Sequence, residues 1–277
     1  MLAASGSLTP IAEAMKSVYQ LLYKKNQDAM LRMIRPFFQE VLNLMGATAE
    51  TDPIILSGSI MNEEEELRYA NEHHFAKVKY CIYLCQAELA FLMHKHQRAR
   101  ELLDKCHNLG VVHETILSSL SIKQYFLDAL TSVSLSWQAD KDKKMAPREA
   151  LKRKKKHLAV ATSRCEYFEQ LAHHSPDNQT HRMLLLQAEL KGLDGRADES
   201  VALFQKAMTH AQQVGAIGDA ALACERTGLM LRMVGKEDDA LDYLEDCCGM
   251  YRQYGALVKV NHVKGNVIPQ AIYEWDG

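Results

Sequence analysis

A chain of 277 residues with a formal charge of −2 can bury a substantial core and has no global attraction for nucleic acid or an anionic membrane. Only 14 Gly and 6 Pro are present, too few for a turn-rich β architecture, and no apolar run approaches the ~20 residues that span a bilayer. The 7 Cys are an odd number, several of them set among apolar neighbours in helical patterns, which reads as reduced thiols in an intracellular, cytoplasmic protein.

Residues 1–60 are expected to form an N-terminal helical segment and linker. The opening Met1-Leu2-Ala3-Ala4-Ser5-Gly6 lacks the basic region and long apolar core of a secretory signal. Thr9 as N-cap and Pro10 at the first helical position open a long helical stretch, whose apolar residues from Val18 to Leu44 recur at helical spacing as far as Gly46. Thr51, Asp52 and Pro53 mark a polar linker. Residues 61–137 form a first helical part. One helix starts at Glu63 to Glu66 and runs through Phe75 to Phe91, a shorter one covers about 97–108 before Gly110, and another covers about 118–137.

Residues 138–174 form a basic linker and long helix. Nine Lys or Arg (141, 143, 144, 148 and 152 to 156) stand here against Asp142 and Glu149, and Pro147 marks the start of a helix reaching His174. Residues 175–277 are punctuated by Pro176, Gly195, Gly215, Gly235 and Gly255, which read as helix ends and tight turns. No strand is expected anywhere, so the fold class is all-α.

Internal repetition sharpens that class. Ala188, Gly195, Ser200, Phe204 and Ala207 match Gly228, Gly235, Ala240, Leu244 and Cys247, every pair 40 residues apart. The tetrapeptide Gln187-Ala188-Glu189-Leu190 recurs as Gln86-Ala87-Glu88-Leu89, with Ala99, Leu103 and Cys106 in the downstream slots. A small residue late in one helix admits the next helix closely, a turn residue reverses the chain, and a second small residue faces the first. This is the logic of tetratricopeptide units, whose usual period is ~34 residues, and it predicts a tetratricopeptide-like helical-hairpin solenoid.

Residues 70–265, most tightly 175–262, resemble the helical region of multidomain signalling ATPases, an AAA-type and hybrid serine/threonine-histidine kinase family. The likeness rests on Trp137, Pro176-Asp177-Asn178, Gln187-Ala188-Glu189-Leu190, Ala221-Leu222-Ala223-Cys224-Glu225 and Gly235-Lys236-Glu237. It continues through Ala240-Leu241-Asp242-Tyr243-Leu244, Tyr251 and the run from Tyr254 through Gly255-Ala256-Leu257-Val258-Lys259-Val260, where Tyr254 stands in place of the family's usual Trp. The resemblance implies a regulatory spacer between catalytic domains, with the catalysis elsewhere in a longer chain.

Candidate chemistry is sparse. No nucleotide-binding loop, dinucleotide fingerprint, H-E-x-x-H or nucleophile elbow occurs, so no catalytic, cofactor-binding or metal residue is assigned. His73-His74, His94/His96 and His173-His174 with His181 are the densest histidines, and they read as solvent-exposed loop side chains rather than ligands. Cys81 and Cys85, at i and i+4, could co-ligate a metal but read as packed core. Cys247 fills the small slot of the repeat, and Cys248 is the one thiol that could be exposed and redox-active. Lys152, Arg153, Lys154, Lys155 and Lys156 form the sharpest charged run. It is readable as a nuclear import signal, a patch for an acidic partner, or the solvated face of a long helix. No aromatic side chains interleave with it, so base stacking is unsupported. Glu63 to Glu66 supply negative charge to a helix N-terminus. Tyr243, Tyr251 and Tyr254 with Met230 and Met233 could line a peptide groove, but at helical spacing they read as core.

The leading expectation is a non-catalytic regulatory or scaffolding module that contacts a protein or peptide partner, or adjacent domains of its own chain. It involves no nucleic acid and no membrane, and the oligomeric state is left open. A free-standing tetratricopeptide adaptor is the alternative, and an enzyme with an unrecognised site ranks last.

Overall fold

A computed structural model describes residues 6–48, 50–111, 118–141 and 146–269. Among them the chain is all-helical, with no strand. The helices are α1 (Leu8–Lys24), α2 (Asp28–Met45), α3 (Glu63–Glu72), α4 (Ala76–Leu92), α5 (His96–Asn108), α6 (Ser118–Lys141), α7 (Pro147–His174), α8 (Pro176–Leu193), α9 (Ala197–Gln213), α10 (Ile217–Met233), α11 (Glu237–Tyr254) and α12 (Leu257–His262), the last followed by a π-helical turn, Val263–Val267. They divide between two compact units. One holds residues 8–127 with 255–258; the other holds 1–7, 128–254 and 259–277. In the first unit α1 packs on α2, α2 and α3 on α4, and α4 on α5; in the second α7, α8, α9, α10 and α11 pack in chain order.

One turn recurs through both units. After a helix ends, one residue leads to a second at positive φ, and a third opens the next helix. The positive-φ positions are Asn26 (53°), His74 (52°) and His94 (55°), then Gly195 (76°), Gly215 (75°) and Gly235 (77°). Each turn is closed by the same pair of bonds. The positive-φ N–H donates three residues back, and the following N–H donates five residues back, as in Ala216 N to Ala211 O (2.8 Å), Phe75 N to Ala70 O (2.8 Å) and Lys95 N to Ala90 O (2.8 Å). These are Schellman closures, which satisfy carbonyls that the helix end leaves without a partner.

The turns at Asn26 and His74 split what the sequence presents as continuous helices. The expected stretch from Thr9 to Gly46 is two helices, and the one expected from Glu63 to Phe91 is α3 and α4. Neither break carries a glycine, so apolar periodicity alone runs through them. The first helix also opens one residue ahead of Thr9, at Leu8.

The linker after α2 is pinned rather than loose. Asn43, fully buried on α2, donates to the carbonyls of Pro53 (2.9 Å) and Ile55 (2.8 Å), and Leu56 is buried between them and α3 in sequence. Asn62 then caps α3 by accepting from the Glu65 N–H at 3.0 Å. Of the four glutamates that open α3, two do more than favour its dipole. Glu63 accepts from the Leu56 N–H at 2.8 Å, and buried Glu66 takes both Arg32 (2.8 Å) and Arg35 from α2.

Apart from the turn positions Gly195 and Gly235, which are exposed, every repeat slot named from the sequence is buried: Ala99, Leu103, Cys106, Ala188, Ser200, Phe204, Ala207, Gly228, Ala240, Leu244 and Cys247. The reason for small residues there is visible at Gly228 on α10, where a methyl group would lie 2.8 Å from Leu244 Cγ and 3.0 Å from the Ala240 carbonyl oxygen of α11. In the preceding pair, the Ser200 hydroxyl of α9 donates to the Ala188 carbonyl of α8 at 2.8 Å. Helix α10 is covered by α9 and α11 and touches α8, and its run Ala220-Ala221-Leu222-Ala223-Cys224 lets those neighbours close in.

Candidate interaction surface

The second unit carries two surfaces of possible functional interest: a buried ladder of ionic groups and an open groove. The ladder is centred on α10. Arg226 pairs with Glu189 of α8 through both carboxylate oxygens (2.9 Å for Nη2 to Oε2) and donates to the Ser134 hydroxyl of α6 at 3.3 Å. Glu225 receives Lys259 Nζ at 2.6 Å and the Tyr251 hydroxyl at 2.7 Å, and both the lysine and the glutamate side chain are 1% exposed. Asp219 accepts from Arg182 Nε at 2.9 Å and from His181 Nε2 at 2.9 Å. Burial pushes the Asp219 carboxyl up, but Arg182 and His181 more than offset it and hold the group well below the ordinary carboxylate range.

These groups pair across helices, so the ladder ties the helices of this unit together. His181 also stacks on His210 of α9, with ring centroids 5.8 Å apart. Burial, followed by the neighbouring His181, lowers the basicity of His210. The first unit has its own buried pairing, in which Lys123 meets fully buried Glu40 at 3.0 Å and also Glu88.

The groove runs over α8 between α7 and α9, with a volume of about 590 Å³. Glu169, Gln187, Lys191, Glu199, Leu203 and Lys206 line it, and Gln187 donates to Glu169 across its floor at 2.8 Å. It continues along α9 into a second hollow of about 460 Å³ that shares Ala202 and Lys206 and ends at Thr209, His210 and Gln213. Leu190, Ala202 and Leu203 set among charged and amide side chains of both signs suit a peptide segment, whose backbone and side chains need donors, acceptors and apolar contact. Cys165 sits at its edge, but burial pushes that thiol up to about 12, so it is no nucleophile at neutral pH.

Other sequence candidates resolve individually. His73, His74, His173 and His174 are exposed as expected, but His96 (8% exposed) and His181 (3%) are buried in helices, because each lies on the inward face of an amphipathic turn. Among the described residues, no group of three or more His, Cys, Asp or Glu is arranged to hold a metal ion. All seven cysteines are buried, and none is in a disulfide. Cys81 and Cys85 are core residues, and burial raises both thiols, Cys81 to about 12.

Cys248, whose exposure the sequence left open without arguing for it, is 2% exposed. Its thiol is nonetheless held near 7, first by a hydrogen bond with Cys247. Tyr251 is buried on Glu225, while Tyr243 accepts a hydrogen bond from Gln205 at 2.7 Å; none of the tyrosines lines the groove. Of the basic stretch, Lys141 ends α6, residues 142–145 lie outside the described residues, and Arg148 with Lys152 to Lys156 lies in the first turns of α7.

The groove residues were not singled out in the sequence. Their one signal is a run of polar or small residues at helical spacing on the outer face of α9 (Glu199, Ala202, Lys206, Thr209, Gln213), which any solvated helix also shows.

No protein-family model matches the chain, and no curated protein matches it significantly. Among the described residues, no helix is long and apolar enough to cross a membrane.

Proposed function

We propose that this chain is a non-catalytic, tetratricopeptide-like interaction module that holds a protein or peptide segment in the groove over α8. The observation that carries the reading is the groove itself, framed by helix pairs that repeat the same turn and the same small-residue contacts. Stacked helical pairs of this kind present long surfaces whose side chains are free to recognise a partner, since packing is done by the opposite faces. The resemblance of residues 70–265 to the helical region of multidomain signalling ATPases and kinases extends the proposal: the module works as a regulatory spacer, and its segment comes from an adjacent domain or a separate protein. Seven buried thiols outside any disulfide fit a reducing compartment such as the cytoplasm. A free-standing adaptor is the second reading.

The test is a photo-crosslinking amino acid placed at Ala202, with a matched one at exposed Glu64 as control. A partner peptide crosslinked reproducibly at Ala202 and not at Glu64, and lost on Lys206→Glu, supports the groove. Crosslinks of equal yield at both positions overturn it. The mass of the crosslinked chain in its native cell separates spacer from adaptor, and measurable nucleotide hydrolysis by the isolated chain overturns the non-catalytic reading.

A further inference from the structure

Two helical faces of the second unit carry opposite charge in the same pattern. The first three turns of α7 project beyond the packed part of that helix: between residues 146 and 156 no side chain is buried, His157 is the first that is, and Leu151 is 54% exposed. Arg148, Lys152, Lys155 and Lys156 are all exposed and recur at i, i+4, i+7 and i+8. On α11 the residues Asp238, Asp242, Glu245 and Asp246 are all exposed and recur at the same four spacings. Each set covers an arc of about 100° and a length of about 12 Å, so the two faces are equal in size and opposite in sign.

Nothing within the fold accounts for the basic face. In the first turn of each helix Asp238 favours the dipole of α11, whereas Arg148 works against that of α7; the other six charges lie beyond its reach. None of the eight side chains takes part in an ion pair among the described residues. In packing order α8, α9 and α10 separate α7 from α11, so the two faces of one unit are not partners for each other.

We infer that the basic overhang of α7 docks on the acidic face of α11 of a second copy of this chain. Each copy carries one face of each sign, so the contact is self-complementary between copies and independent of what the groove binds. An interface of exposed charges associates quickly and weakens with salt, because ions screen exposed pairs within about 10 Å at 0.1 M.

The experiment is light scattering of the full chain across salt concentrations, on the wild type and two charge-reversed variants. The wild type should exceed its 31.3 kDa monomer mass at about 50 mM salt and return to it by about 500 mM. Lys152→Glu/Lys155→Glu/Lys156→Glu and Asp242→Lys/Glu245→Lys/Asp246→Lys should each stay monomeric at low salt, with unchanged helical circular dichroism because every altered side chain is exposed. Mixing the two variants restores matched faces and should restore the higher mass. A wild type that stays at 31.3 kDa at low salt overturns the inference, as does association that survives either reversal or a mixture that stays monomeric. A monomeric wild type that binds a polyglutamate peptide through α7 also overturns it, and assigns the basic face to an acidic partner of another kind.

Discussion

Where one helix leads straight into the next, the unit of residues 8–127 turns its chain with Asn26, His74 and His94 at positive φ, whereas the other unit uses Gly195, Gly215 and Gly235; the first unit keeps a glycine with the same closure at the end of α2, Gly46. The hydrogen bonds that close the six turns are the same. The geometry is therefore imposed by the need to satisfy terminal carbonyls while reversing the chain, and glycine is only the least strained way to meet it. The φ values record that difference, between 52° and 55° for the three non-glycine residues and between 75° and 77° for the three glycines. A side chain confines the residue to the small left-handed well, and glycine relaxes beyond it.

The buried ion pairs give the largest test of the contrast between units. Glu225 is the carboxylate for Lys259 in the glycine-turn unit, while Lys123 in the other unit has both Glu40 and Glu88. Glu225→Ala removes the buried carboxylate that Lys259 and Tyr251 share and should cost about 3–5 kcal/mol in urea denaturation. Glu40→Ala should cost clearly less, because Glu88 still neutralises Lys123. Equal losses would mean that the second carboxylate contributes nothing.

The turns themselves come next in size. Gly215→Ala should cost about 1 kcal/mol, measured by thermal melting, because its added methyl group meets nothing within 4 Å and only the left-handed backbone is strained. His74→Gly should go the other way by somewhat less than about 1 kcal/mol, the strain relief being partly offset by glycine's greater freedom in the unfolded chain. If both substitutions destabilise, the His74 side chain supports its turn and the two units differ in more than strain.

The smallest effect is on acid stability, and it belongs to the glycine-turn unit. His210 binds its proton less readily in the fold than unfolded, so its contribution is complete above about pH 6.5 and falls as the pH drops below that value. Asp219 keeps its carboxylate far below the unfolded value of about 3.9, so its contribution is complete above that pH and falls with further acidification. Chemical denaturation between pH 7 and pH 3 should show two successive losses, with Asp219→Asn removing the second and leaving the first. A single loss confined to the lower range would exclude His210 from the packing of α8, α9 and α10.

The α9–α10 and α10–α11 boundaries were legible because Gly215 and Gly235 announce them, and the repeat slots were legible because Ala188, Ser200, Gly228 and Ala240 are small where neighbours are large. The breaks at Asn26 and His74 were not, since polar residues at helix ends and in helix middles look alike when the apolar spacing continues. His181 shows the same limit for side chains. Its neighbours in sequence are polar, and only the arrival of Asp219 from α10 and His210 from α9 makes its position buried.

The sequence by itself determined the helical class, the absence of strands among the described residues and the identity of the small positions, because helical periodicity and glycine turn chemistry are local properties. Only the tertiary structure decided which charges are buried in pairs, which face of α9 opens into a groove, and which charges of α7 and α11 stay exposed. Those features depend on residues tens of positions apart meeting or failing to meet, and a local pattern carries no record of that.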